Sequence, residues 1–183
     1  MKMKRIGWVG FVLASFVYAQ GTQPSSANSN ASSQDQQFLM KAAQGGMAEV
    51  ALGRLAEKNA SNSSVKQFGE RMVQDHTKAN DQAKSLASQK GVTLPASMNS
   101  KDEALERTLS SKTGSDFDKA YITAMLKDHK EDIAEFQNEA NSGIDRDIKA
   151  WASKTLPTLQ EHYRMAEGCA RQLGISVSTG GDR

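Results

Sequence analysis

Between Gln34 and Leu173, apolar residues return every three or four positions in four long runs, a period that fits α-helix and not strand. The first run, about Gln34 to Ala60, lines up Phe38, Ala42, Gly45, Gly46, Glu49, Leu52, Gly53 and Ala56. The second reaches about Lys90 and aligns Val65, Phe68, Met72, His76, Ala79, Ala83 and Leu86. The third, about Ser115 to Asn141, offers two neighbouring stripes. One is Ile122, Leu126, His129, Ile133, Phe136 and Ala140; the other is Phe117, Tyr121, Ala124, Asp128 and Glu135. The fourth, about Asp145 to Leu173, aligns Ile148, Ala152, Thr155, Leu159, His162, Ala166, Cys169 and Leu173. Aromatic residues are only 6% of the chain, and unbranched side chains, which lose little freedom in a helix, dominate it.

Helix starts are expected at capping boxes: Ser33 with Gln36, Ser64 with Gln67, Ser100 with Glu103, and Ser115 with Asp118. The Ser100 box opens a short surface helix to about Lys112. Gly91 ends the second long helix, and Pro95 blocks continuation through the crossover. Pro157 removes a backbone donor inside the fourth helix, so a kink or bulge is expected there.

The halves resemble each other. Val65-Lys66-Gln67-Phe68 matches Ile148-Lys149-Ala150-Trp151, and Gly91-Val92 matches Gly174-Ile175. Phe38 and Glu49 are spaced like Phe117 and Asp128, which pairs Glu49 with Asp128. Two duplicated helical hairpins joined by a long crossover predict an all-α, ferritin-like four-helix bundle with a short extra helix in the crossover.

The N-terminus differs. Lys2, Lys4 and Arg5 precede an apolar run from Ile6 to Val17, and small residues follow at Val17 and Ala19. This is the pattern of a secretory signal cleaved after Ala19, because the run is too short to span a bilayer. No Cys stands at the cleavage position, so a lipid anchor is not expected. The expected organisation is a signal at 1–19, a Ser/Asn-rich tether at 20–33, the bundle at 34–174 and a disordered tail at 175–183. The formal charge of +2 includes the three basic residues of the signal; without them 20 basic face 21 acidic residues. Such a near-neutral, interspersed surface carries no footprint for nucleic acid. The protein is therefore expected outside the cytoplasm, periplasmic or associated with the envelope, with no transmembrane span after cleavage. Its expected partners are a second copy or another envelope protein. The single Cys169 has no internal disulfide partner and lies on an apolar stripe, the setting of an inert buried thiol.

Chemistry concentrates at the three histidines, His76, His129 and His162, each directly after an acid. Counting from the turns brings Glu49 and His76 level, with Asp128 and His129 similarly placed in the second hairpin. His162 lies about one turn from the position matching His76. Glu49, His76, Asp128, His129 and His162 are thus the candidate metal ligands, a set suited to iron, zinc, manganese or copper. Asp75 points about 100° away from His76 on its own helix and is expected outside the cluster. Glu-x-x-His spacing is absent, because Val73, Leu126 and Leu159 stand three residues before the histidines, so a di-iron oxidase is poorly supported. Two other readings of the cluster stay open: a structural polar layer in which Glu49 pairs with His76, and acid–base chemistry without metal. For the protein as a whole the alternatives to an envelope protein with a metal centre are a purely structural or interaction bundle tied to envelope stress, and a metal-dependent oxidoreductase. An enzyme is not the favoured reading, since no nucleophile or phosphate loop accompanies the cluster.

Several stretches resemble one bacterial exported family, the domain of unknown function 4142. They are Ala42-Ala43-Gln44-Gly45-Gly46-Met47-Ala48-Glu49-Val50, Arg71-Met72-Val73-Gln74-Asp75-His76, Lys90-Gly91-Val92-Thr93-Leu94-Pro95, Phe117-Asp118-Lys119-Ala120-Tyr121, Asp128-His129 and Thr155 to His162. The resemblance covers about Gln37 to Leu173 and implies a ferritin-like bundle in the cell envelope; some members carry an outer-membrane label. It implies no particular activity. The chain has no alternating strands of a transmembrane barrel.

Overall fold

The computed structural model describes residues 31–177, so the expected signal, most of the tether and residues 178–183 lie outside the described part. Five helices occur there and no strand: α1 (Ser33–Asn59), α2 (Ser63–Lys90), α3 (Ser100–Ser110), α4 (Gly114–Ser142) and α5 (Arg146–Gln172). No described helix is long and apolar enough to cross a membrane. α1 packs along α2 and α4 along α5; α1 also meets α4, and α2 meets α5.

The helix starts differ from the expected boxes by a few residues. Ser32 caps α1 reciprocally with Asp35, Asn62 caps α2, Asn99 caps α3 and Asp145 caps α5. At α1, α2 and α3 a Ser or Asn upstream of the expected cap reaches the first free N–H groups, and at α5 Asp145, the expected start of that helix, does so. At α4 the residue before the helix is Thr113, with no side-chain cap bond. Asp118 is spent elsewhere: it accepts from the backbone N–H of Ser61 (3.1 Å) and of Asn62 (3.0 Å), and from the Ser61 hydroxyl. It therefore ties the start of α4 to the α1–α2 turn. Asp35 does the same at the other end, accepting from Ile144 (2.9 Å) and Asp145 (3.0 Å) in the α4–α5 turn.

These ties set the register between the hairpins. Asp35 and Asp118, the caps Asn62 and Asp145, and the left-handed Gly91 and Gly174 are each 83 residues apart. Both glycines have φ +68°, and the next N–H closes the helix, Val92 onto the Ala87 carbonyl and Ile175 onto that of Ala170, each at 2.9 Å. At this spacing Phe38 matches Tyr121 and Glu49 matches Asp132. The expected pairing of Glu49 with Asp128 is one helical turn out of register, because Phe117 and Tyr121 share a face and both resemble Phe38.

Two apolar clusters fill the interior. One joins Leu52, Phe68, Phe117, Tyr121, Ile122, Met125 and Cys169; Ile175 and Val177 pack against it, so the folded body runs past residue 174. The other joins Phe38, Leu39, Leu86, Phe136, Ile148, Leu156 and Leu159, with Ala31 at its edge. Trp151 is half-buried and packs edge-on against Phe38, with ring centroids 5.7 Å apart. α3 is mostly exposed but plants Leu109 in the first cluster. α5 continues unbroken through Pro157.

Gly53 and Gly69 let the backbones of α1 and α2 pack directly against each other. A Cβ on Gly69 would stand 2.6 Å from Ala56 Cβ and 2.8 Å from the Gly53 carbonyl oxygen. A Cβ on Gly45 would meet nothing within 4 Å. The same substitution should therefore have opposite signs at the two sites. Gly45→Ala should stabilise by about 1 kcal/mol through helix propensity. Gly69→Ala should destabilise by about 1–2 kcal/mol, since overpacking against backbone exceeds that gain. Urea unfolding followed by helical circular dichroism reads both.

Glu139 lies buried against Asp35 and Gly143, and its Oε1 has no partner. Burial, then the adjacent Asp35 carboxylate, push its pKa up to about 7. The folded state thus holds this proton more tightly than the unfolded chain, where Glu titrates near ~4.3. The contribution is full below that value and is lost as pH rises through about 7. With allowance for solvent screening at the turn, the loss should be on the order of 1 kcal/mol. Unfolding free energies from urea titrations at pH 5 and pH 8 should differ by this amount in the wild type, and the difference should shrink in Glu139→Gln.

Candidate metal centre

A polar layer separates the two apolar clusters. Each long helix contributes to it: Glu49 from α1, His76 from α2, His129 from α4 and His162 from α5, all buried. Their apolar neighbours one turn away belong to the clusters on either side, which is why the helical stripe carries these side chains inward. Asp128 is half-buried at the edge of the layer.

The histidines form one group. One ring nitrogen from each of His76, His129 and His162 lies within 4.8 Å of the others. His129 Nε2 faces His162 Nδ1 at 3.4 Å, and the His76–His162 ring centroids are 5.3 Å apart. The outer nitrogens are anchored. His162 Nε2 donates to Asp75 Oδ2 at 2.9 Å, and Asp75 is held in turn by the Arg71 guanidinium. His129 Nδ1 donates to the Met125 carbonyl at 3.0 Å. A carboxylate and a carbonyl only accept, so these bonds fix the hydrogens on the outer nitrogens. The two inner nitrogens, His129 Nε2 and His162 Nδ1, are then both lone pairs and point at each other. His76 Nε2 is buried with no partner.

Electrostatics keeps the group neutral. Burial, then the charges of the other two histidines, lowers His76 well below the ordinary range. Burial, then His162, lowers His129 to about 4. Burial lowers His162 as well, against the opposing pull of Asp75. Burial alone would raise Asp75, but its bonds to Arg71 and His162 outweigh that and hold it below the usual carboxylate range.

Glu49 stands on the other side of His129. Its Oε1 is 3.6 Å from His129 Nδ1, too long for a hydrogen bond, and neither carboxylate oxygen has a partner. Glu49, Asp128 and His129 form a second group of donors within 4.8 Å. Burial, then Asp128, raises Glu49 far above its ordinary value. The five sequence candidates therefore fall into two groups that share His129. The expected Glu49–His76 pair is replaced by a Glu49–His129 approach.

Asp75 is the residue that its own helix misplaces. It points away from His76 as expected, yet it lies where α2 faces α5 and crosses to His162. Its only sequence signal is Arg71 at i−4, which pairs with it. Asp132 and Asp102 also escaped notice; burial, then Asp128, raises both carboxyls. A small cavity of about 20 Å³, room for roughly one water, reaches His76 between Gly46, Asn80, Thr155 and Leu159.

A profile of the domain of unknown function (DUF4142) matches residues 20–169. No curated protein matches the chain. Among solved structures, a DUF305 fragment from Deinococcus radiodurans superposes with a TM-score of 0.68 at 15% identity, over 79% of this chain and 97% of that one. A "putative secreted protein DUF305" from Streptomyces coelicolor superposes with a TM-score of 0.68 at 10% identity, over 82% and 96%. At these identities the likeness carries the helical fold alone.

Proposed function

From the premise that the chain belongs to the DUF4142 family and has the helical fold of DUF305 proteins, we propose that it is an exported metal-binding protein of the cell envelope. The ion is held by His76, His129 and His162. One observation carries this reading: His129 Nε2 and His162 Nδ1 face each other at 3.4 Å with their hydrogens committed elsewhere. Two opposed lone pairs repel unless a cation lies between them. A ligating imidazole ordinarily gives its other N–H to a carboxylate or carbonyl, as His162 does to Asp75 and His129 to Met125.

Three neutral imidazoles suit zinc, copper or ferrous iron better than manganese, which prefers oxygen. Three protein donors leave a coordination position free for water or a small ligand. Two hairpins related by 83 residues and joined by a long crossover support the ferritin-like bundle topology. The basic and apolar start of the chain supports export, as does the secreted description of the Streptomyces coelicolor neighbour.

The test uses the chain without a polyhistidine tag, stripped with chelator and given one equivalent of Cu²⁺. Its electron paramagnetic resonance spectrum should show nitrogen hyperfine structure from imidazole. That structure should fall to the pattern of at most one imidazole, that of His129, in His76→Ala/His162→Ala, with helix content kept. Copper uptake and spectrum unchanged in that double variant would overturn the reading in favour of a purely structural layer.

A further inference from the structure

We infer that a second cation site lies on the far side of His129, formed by the Glu49 and Asp128 carboxylates and His129 Nδ1. It deepens the reading of the three-histidine centre and rests on it, since His129 serves both. Glu49 is wholly buried, and neither of its oxygens has a hydrogen-bond partner. A native interior seldom leaves a carboxylate so, because desolvation without compensation is costly. A cation between the donor atoms of Glu49, Asp128 and His129, which lie within 4.8 Å of one another, would supply the missing partner.

The geometry offers three donors to that charge. Glu49 Oε1 stands 3.6 Å from His129 Nδ1, and an Asp128 oxygen completes a set within 4.8 Å. Two carboxylates and one imidazole suit zinc, manganese or ferrous iron, a harder set than the three nitrogens opposite. Occupation replaces the hydrogen that Nδ1 gives to Met125 and the hydrogen carried by the buried Glu49 carboxyl; metal–nitrogen and metal–oxygen bonds form, the N–H and O–H bonds break and both protons leave to bulk water. The His129 ring then bridges two cations through its two nitrogens.

The experiment measures zinc bound per chain in the untagged, full-length protein after saturation with Zn²⁺ and removal of free metal. Two zinc ions are expected for the wild type, and one for Glu49→Gln. That substitution keeps the side-chain shape and removes only the ability to ionise, so the thermal midpoint of the metal-free protein should not fall. Saturation with Cu²⁺ should give an integrated resonance signal well below two spins per chain, because a shared imidazolate couples the two ions. One zinc in the wild type overturns the second site and leaves the three-histidine centre standing. Two zinc ions in both proteins, or a full two-spin copper signal, also overturn it. No zinc in the wild type overturns both readings.

Discussion

Asp118→Ala should lower the free energy of unfolding by about 3 kcal/mol, the largest single effect expected in the chain outside the apolar clusters. Asp118 is nearly inaccessible and accepts from two backbone N–H groups and a hydroxyl at the α1–α2 turn. Bonds to a charged acceptor are worth more than neutral ones, and the turn donors it serves have no other partner nearby. Alanine both removes the acceptor and strands the donors. Asp35→Ala should act similarly at the α4–α5 turn, where Asp35 also forms the reciprocal cap with Ser32. The two sites lie at opposite ends of the long helices, so the losses should add to within a few tenths of a kcal/mol. A double variant would then lose about 6 kcal/mol, comparable with the whole stability of many domains. Urea titration of the wild type, both single variants and the double variant measures each term. A loss below ~1 kcal/mol in either single variant would mean that water replaces the carboxylate there.

Asp75→Ala should weaken the affinity of the three-histidine centre for Zn²⁺ by about 10–100-fold, without changing the number of ions bound. Asp75 touches no inner nitrogen. It holds the hydrogen of His162 on Nε2 and thereby keeps Nδ1 free, while Arg71 fixes the carboxylate. Without it the ring can turn or carry its hydrogen on the inner nitrogen, and each zinc must first displace that arrangement. Competition with a chelator of known affinity measures the change. Arg71→Ala should show a smaller effect, because the exposed guanidinium holds Asp75 in place while its own positive charge, felt at His162, disfavours a cation there. An unchanged affinity in Asp75→Ala would show that packing alone orients His162.

Much of this was legible in the sequence. The helical period gave the four long helices, and counting residues from the turns brought Glu49, His76 and His129 level while leaving His162 about one turn away. The helix starts were less legible because two signals compete there. A Ser-x-x-Gln pattern at Ser64 looks like a cap, but Asn62 lies two residues upstream and reaches the same N–H groups. The register between the halves was obscured because Phe117 and Tyr121 occupy one face four residues apart. The hydrogen bonds at the turns decide between them, and those are long-range. The same reason hid Asp75: a helical wheel describes one helix, whereas the bond to His162 spans 87 residues. Glu49 was found as an enclosed acid. Its isolation from His76 depends on how α1 sits against α4, which no local pattern encodes.

The two aspartates at the helix starts also bear on how the chain folds. Each hairpin has its turn completed by a side chain of the other: Asp118 serves the first, and Asp35 the second. Neither hairpin alone can finish its own connection. Partly folded forms in which one half is built and the other is loose thus carry stranded donors at the built turn and an idle carboxylate on the loose half. Such forms are penalised from both sides, and the unfolding transition is sharpened toward all-or-none. Two hairpins of like build would otherwise be free to melt one at a time; the crossed aspartates make the two halves mutually dependent.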